Sequence, residues 1–288
     1  MKIATKIIAV ASAAVVLSGS FAFAGEGKTF KEKVVVEEPT KWYSAALSTG
    51  YDSLYMFRGV NTLSHGVFGD TGDYGSGIYW TDLNFTWNIT ENDFLTVGSW
   101  MAFGTSNTAY KELDLYTTYT HNFGNLAASA GYIFYYVFGA SPNLFANELN
   151  VKLAYTFDLG FMSVVPSIAY YFNLGPDVSS GHGLVSQASS YLLLRVDGTI
   201  PVYKDVVALA PWIGYGTNFE YNARLESDGE YNWFNGANNI EVGLGLPVKL
   251  NSVISVYGYV AYSYAFYNLN ATTDPSTVWG GAKVTFAF

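Results

Sequence analysis

"NELNVKLAYTF", residues 147–157, sorts by position into Leu149, Val151, Leu153, Tyr155 and Phe157 on one side and Glu148, Asn150, Lys152, Ala154 and Thr156 on the other. A repeat of two is the mark of an extended strand, because successive side chains leave opposite faces. Which side faces inward decides the fold. In a water-soluble sheet the apolar side is the core. In a transmembrane barrel the apolar side meets lipid and the polar side lines the lumen.

From Trp42 onward the alternation returns in twelve segments, at about 42–59, 75–90, 94–104, 111–123, 126–137, 147–157, 161–172, 189–200, 206–216, 238–249, 253–265 and 277–288. Tyr79, Leu83, Phe85, Trp87 and Ile89 alternate with Trp80, Asp82, Asn84, Thr86 and Asn88. Ile240, Val242, Leu244, Leu246 and Val248 alternate with Glu241, Gly243, Gly245 and Lys249. Most segments exceed the ~5–6 residues usual in soluble sheets and suit the ~9–11 residues that cross a bilayer at a tilt. The connections alternate too. Short turns at 90–93, 123–125, 158–160, 201–205 and 250–252 trade with longer loops at about 60–74, 105–110, 138–146, 173–188, 217–237 and 266–276. Short periplasmic turns and long external loops are the outer-membrane pattern, and an even strand number leaves both chain ends on the short-turn side.

Composition points the same way. Charged residues make up 13% of the chain and aromatics 18%, with 24 Tyr and 20 Phe, whereas a soluble domain carries roughly 25% charged residues. The faces opposite the apolar ones are rich in Gly, Ala, Ser, Thr and Tyr with scattered charges, which fits a lumen better than a solvated surface. Closure removes the sheet edges, and lipid solvates the apolar face without a second sheet. The expected fold class is all-β, a transmembrane antiparallel β-barrel of twelve strands over 42–288. Trp42, Tyr43, Trp87, Tyr155, Phe157, Tyr170 and Phe172, near segment ends, would form its interfacial girdles.

The chain opens with Lys2 and Lys6, an apolar run from Ile7 to Leu17, and Ala22 and Ala24 as an A-x-A cleavage pattern. Residues 1–24 read as a secretory signal peptide. Residues 25–41 mix both charge signs around Pro39 and read as a periplasmic segment, either a solvated linker or a docking peptide for a periplasmic partner. Cysteine is absent, which excludes disulfides and thiolate metal sites. Losing Lys2 and Lys6 with the leader leaves 12 basic against 23 acidic residues. That balance argues against a nucleic-acid partner, which needs a basic stripe. Val284, Phe286 and Phe288 share one face of the last segment, and a chain ending in Phe at that spacing looks like the signal read by the barrel-assembly machinery.

GYDSLYMFRGVN at 50–61, ELDLY at 112–116, YIFYYVFGA at 132–140 and NELNVKLAY at 147–155 together resemble the Gcw_chp family of bacterial outer-membrane proteins. The resemblance covers about the first half of the mature chain in detail and the rest in strand pattern. The family's Ser-x-Tyr-x-x-Arg-Gly stretch falls on Ser53, Tyr55, Arg58 and Gly59, with Leu54 where an acidic residue is usual. The resemblance implies a barrel in the cell envelope and leaves the activity open.

Parity places Asp52, Arg58, Asp82, Glu112, Asp114, Glu148, Lys152, Arg195, Asp197, Glu241, Lys249 and Lys283 in the lumen. A Lys or Arg facing lipid near the midplane would cost about 2–4 kcal/mol, so the consistent inward parity supports the face assignment. These charges could line a water-filled path or pair with one another as a plug. Inward parity also collects Trp80, Trp100, Tyr116, Tyr135, Tyr171, Tyr191, Trp212, Tyr257, Tyr259 and Trp279, either as stacking platforms for passing sugars or nucleosides or as filling for a narrow interior. Arg58 should stand at the outer end of the first strand, where it could meet lipopolysaccharide phosphate, an anionic solute or a loop carboxylate. The external loops are acidic, with Asp70, Asp73, Asp177, Glu220, Glu226, Asp228, Glu230 and Asp274 against Arg224, a surface suited to cations or to divalent bridging of lipopolysaccharide. GDTGDYGSG at 69–77 departs from the spacing of a calcium loop and reads as a Gly-rich loop.

No catalytic constellation emerges. His121 is followed by Asn122 and Phe123 rather than by the His-x-Ser of outer-membrane phospholipases, and His65 and His182 fall in loops. No G-x-S-x-G, H-E-x-x-H, phosphate-binding loop or dinucleotide fingerprint occurs. The expectation is a non-enzymatic integral outer-membrane protein with no metal and no cofactor, whose partners are membrane lipid and lipopolysaccharide. It would be a passive channel for small hydrophilic solutes or, alternatively, a non-conducting structural or adhesive barrel that binds a partner through its acidic loops.

Overall fold

The computed structural model describes residues 42–63, 77–106, 110–138, 144–175, 188–225, 231–267, 269 and 276–288. The leader, the 25–41 segment, His65, His182 and nearly all of the Gly-rich stretch lie outside them. The described elements are all strands: β1 (Tyr43–Asp52), β2 (Met56–Phe57), β3 (Val60–Asn61), β4 (Ile78–Asn88), β5 (Asp93–Gly104), β6 (Lys111–Phe123), β7 (Leu126–Phe138), β8 (Leu144–Tyr155), β9 (Phe157–Asp158), β10 (Ser163–Asn173), β11 (Ser190–Tyr203), β12 (Val207–Leu225), β13 (Tyr231–Lys249), β14 (Ile254–Ala265) and β15 (Ser276–Ala287).

Twelve of them, all but β2, β3 and the two-residue β9, pair antiparallel with their sequence neighbours, and β1 pairs with β15 to close the barrel. The seam runs from Ala46 opposite Ala287 to Asp52 opposite Gly281. Beyond it the Phe288 N–H donates to the Ala45 carbonyl at 2.9 Å. Closure satisfies the backbone groups that lipid cannot.

On β8 the alternation resolves the question raised by its sequence. Leu149, Val151, Leu153 and Tyr155 are 46, 54, 49 and 40% exposed, while Glu148 and Asn150 are 1 and 6% exposed. The outer face is apolar all round, with Leu83, Leu115, Leu194, Ile213, Val242, Leu244 and Val260 also exposed. Water would not tolerate so continuous an apolar surface on a monomer, whereas hydrocarbon solvates it. The protein is an integral outer-membrane barrel. Trp42, Tyr43, Tyr155, Phe157 and Tyr170 are exposed on the same outer face, and Tyr43 stacks on Phe85 with 5.3 Å between ring centres.

Two expected boundaries are corrected. The first strand does not run to residue 59. It ends at Asp52, and residues 53–63 turn into the barrel, where β2 and β3 form a sheet of their own. The segment 217–237 is not mainly loop, because β12 and β13 continue through it as a tall hairpin and leave only 226–230 undescribed. The register of that hairpin shifts between Phe219 and Ala223, where three residues on β12 face one on β13, and Glu220 there has φ of 56°. This bulge turns the consecutive residues Tyr221 and Asn222 into the interior, where both are buried, an arrangement a regular strand forbids.

Candidate functional site: a hairpin pinned across the lumen

Residues 53–63 cross the interior at the long-loop end. Phe57 pairs with Val60, Met56 pairs with Asn61, and the Thr62 N–H donates to the Tyr55 carbonyl at 2.9 Å. The two residues between, Arg58 and Gly59, have φ of 50° and 80°. That is the backbone of a two-residue turn with both central residues left-handed, for which glycine is suited and arginine is unusual. Gly59 is also forced by space, since a Cβ there would lie 2.5 Å from Asn239 Cγ.

The hairpin touches walls all around the barrel. Tyr55, Leu63, Ile78, Trp80, Trp100, Ala102 and Tyr110 form one buried cluster. Met56 packs with Trp212, Ala261 and Trp279, and Val60 with Phe234, Ala265 and Leu269. The start of the hairpin is fastened by backbone: Ser53 N–H donates to the Gly280 carbonyl at 2.8 Å, and Gly280 N–H donates to Ser53 Oγ at 3.0 Å.

The tip is held by charge. Arg58, 1% exposed, grips Glu148 with both arms of its guanidinium, one to each carboxylate oxygen at 2.7 Å. Its Cζ lies 4.2 Å from the centre of the Tyr171 ring and 4.3 Å from that of Tyr221, with Phe57 and Tyr191 at 4.9 and 5.3 Å. A planar cation over aromatic faces is attracted by the ring quadrupoles, and the fork geometry matches a carboxylate. Glu148 accepts two further bonds, from Tyr135 at 3.3 Å and Tyr221 at 3.0 Å. The Arg58 carbonyl accepts from Asn238 at 2.7 Å and Asn222 at 3.3 Å. Those amides belong to a ladder in which Asn222 donates to Asn238 and Asn238 to Asn239. Tyr191 donates to Asn239 at 3.0 Å, and Asn239 donates to Ser263 at 3.1 Å.

The other inward charges are gathered in smaller groups. Glu112 accepts from Tyr55 at 2.8 Å and from Tyr110. Burial, with the Glu112 charge second, pushes both phenols well above their ordinary pKa, so they stay protonated as donors. Asp114, wholly buried, stands cross-strand from Trp100, and Trp100 stacks on Tyr55. Asp52 accepts from Trp80 at 2.8 Å and Tyr259 at 2.7 Å. Asp82 accepts from Tyr116 at 2.8 Å and Asn84 at 3.1 Å. Arg195 holds Asp197 through Nε at 2.9 and 3.0 Å and stands 3.8 Å from Glu241, which accepts from Trp212 at 2.9 Å. The Lys283 ammonium is 5.7 Å from the Tyr257 ring centre, and Lys152 and Lys249 are half-buried. Toward the short-turn end the inward side chains become short hydroxyls paired across strands: Ser48 with Thr285, Thr86 with Thr96, and Thr120 with Ser129, at 2.8–2.9 Å.

The expected placement of Arg58 at the mouth is corrected: it lies inside, and its partner is the strand residue Glu148 rather than a loop carboxylate. Missed altogether were Tyr221, Asn222, Asn238 and Asn239. Tyr221 is turned inward only by the bulge, and it and Asn222 stand in a stretch expected to be loop, whereas Asn238 and Asn239 open the segment expected to be strand from 238. His121 faces outward near the short-turn rim, with Nδ1 2.6 Å from Asp93 Oδ1, and Tyr119 bonds the same carboxylate.

No protein-family model matches the chain, and no curated protein does. Among solved structures it is similar to the COG4313 outer membrane channel from Pseudomonas putida F1, at 11% identity over 87% of this chain and 99% of that one, with a TM-score of 0.56. At that identity the likeness is one of fold. LpxR from Salmonella typhimurium, at 10% identity over 84% and 99% of the two chains, and the NanC porin, at 13% over 84% and 98%, both have TM-scores of 0.47. That is too low to carry an argument.

Proposed function

We propose that this protein is an outer-membrane channel for small hydrophilic solutes that rests closed, with residues 53–63 as its internal plug. One observation carries the reading. The element that crosses the lumen is not part of the wall: its two-residue ladder is a sheet separate from the barrel's, so it can leave without breaking a pairing that closes the barrel. The wall it would uncover bears carboxylates, phenols and amides, which water and polar solutes can solvate. The Ser53, Tyr55, Arg58 and Gly59 pattern supplies the anchor, the phenol, the cation and the turn of this plug. Membership of the Gcw_chp family is part of the same proposal.

The test is conductance in planar bilayers. A barrel whose residues 54–62 are replaced by a short Gly-Ser link, and which keeps heat-modifiable gel mobility, should show discrete current steps larger and more frequent than the parent's. Silence from both folded proteins would overturn the channel and leave a static envelope barrel.

A further inference from the structure

The cage around Arg58 has the composition of a ligand site whose ligand is tethered. A carboxylate whose two oxygens each lie 2.7 Å from a guanidinium nitrogen, two tyrosine rings within 4.3 Å of the cation centre and a third at 5.3 Å make up a receptor for a flat, delocalised cation. The residues that build it come from β8, β10, β11 and β12 of the wall, whereas the guanidinium comes from the plug. Its parts would therefore remain on the wall when the plug departs. We propose that the Glu148, Tyr171, Tyr191 and Tyr221 cage is a binding site for small organic cations bearing a guanidinium group, and that Arg58 occupies it as a stand-in for such a solute. This inference rests on the channel reading, and it names both the class of solute and the trigger: an incoming guanidinium compound competes with Arg58 and releases the plug.

The charge of the interior favours this ligand over an anion. Among the described residues the inward carboxyl groups of Asp52, Asp82, Glu112, Asp114, Glu148, Asp197 and Glu241 outnumber the inward cations Arg58, Lys152, Arg195, Lys249 and Lys283 even with Arg58 in place, and its departure widens the difference. An ammonium is a poorer occupant, because it is a compact, strongly hydrated charge that cannot present two parallel N–H groups to a carboxylate or stack on a ring. The tether sets the working range. A group on a short link has an effective concentration on the order of millimolar or above, so a free competitor must reach roughly that concentration to displace it.

The experiment uses the whole chain in lipid nanodiscs and two matched dications, agmatine, with one guanidinium and one ammonium, and putrescine, with two ammonium groups. Hydrogen exchange of the 53–63 peptide should speed up saturably, about tenfold, with agmatine at millimolar concentration and hardly at all with putrescine. Glu148→Gln should abolish the saturable dependence. In Arg58→Ala, agmatine should fill the vacated cage and raise the unfolding temperature by a few degrees, again in preference to putrescine. Equal effects of the two amines, or no stabilisation of Arg58→Ala by agmatine, would overturn the assignment. These readouts do not depend on current, so a cage that binds agmatine in a barrel that never conducts would sink the channel reading alone, and a conducting barrel indifferent to agmatine would sink this one alone.

Discussion

Arg58→Ala tests how firmly the plug is held. Removing one member of a buried, hydrogen-bonded ion pair costs about 3–5 kcal/mol, most of it the penalty of leaving the other charge without a partner. Here the carboxylate left behind is not wholly deserted, because Tyr135 and Tyr221 still donate to Glu148, which places the loss toward the lower end. At 1.4 kcal/mol per tenfold, about 3 kcal/mol moves the ratio of released to docked hairpin by roughly 100-fold. Glu148→Gln leaves the guanidinium among rings with no counter-charge and should move it further. Arg58→Lys keeps the charge but loses the fork and the stacking, so it should fall between wild type and Arg58→Ala. Single-channel recording reads the ratio as open probability, and hydrogen exchange of 53–63 reads it without current. An Arg58→Ala barrel with native heat-modifiable mobility, wild-type open probability and wild-type exchange would refute the claim that this pair holds the plug.

Three further outcomes follow from the wall. An added Cβ at Gly98 would sit 2.3 Å from Cζ of Tyr116, so Gly98→Val must push that ring off the wall and break its bond to Asp82. Overpacking of this kind costs about 1–3 kcal/mol, and an unfolding midpoint in urea equal to wild type would contradict the packing. Val151 faces lipid on β8, so Val151→Arg should cost about 2–4 kcal/mol if it lies near the midplane and slow folding into vesicles, while Val151→Leu should fold normally. In the barrel lacking residues 54–62, Lys152→Glu or Arg195→Glu should shift the reversal potential under a KCl gradient toward potassium; an unchanged potential would remove those side chains from the ion path.

The period of two made the faces of the barrel legible because lipid and lumen impose opposite demands on alternate residues, as Leu149 and Glu148 show. The same rule failed at both ends of its reach. YDSLYMFRGV keeps alternating past Asp52 because the hairpin is itself extended, so periodicity alone could not say that the strand had left the wall. Arg58–Gly59 was the available sign of a turn, though without the Asn-Gly or Asp-Gly that usually marks one. Residues 217–237 read as a loop because their polar residues, Asn218, Glu220, Asn222 and Asn235 among them, hide the apolar alternation that betrays a lipid-facing strand. The bulge at 220–222 then breaks the parity that remained. The pairing of Arg58 with Glu148, ninety positions away, is a property of closure and could not be read locally.

The two sides of the hairpin are held by different physics, and that difference bears on how it would move. Its root is fixed by the reciprocal bonds between Ser53 and Gly280 and by Met56 among Trp212, Ala261 and Trp279. Withdrawing that side would expose apolar surface at about 25 cal/mol per Å² with nothing gained in return. Its tip is held by Arg58 and the Asn222–Asn238 amides, groups that water or a polar solute can solvate once they part, together with the apolar contacts of Phe57 and Val60. A buried ion pair is a poor choice for maximal stability, since well-packed apolar residues of similar volume often do as well or better. Placed at the tip alone, it lowers the cost of release there while the apolar root stays put. Opening would then be a swing of residues 57–60 about an anchored 53–56, rather than expulsion of the whole segment. Hydrogen exchange should therefore be slow at the Ser53 amide, which donates to the Gly280 carbonyl, and faster at the amides of residues 57–60; equal rates at the two would refute the swing.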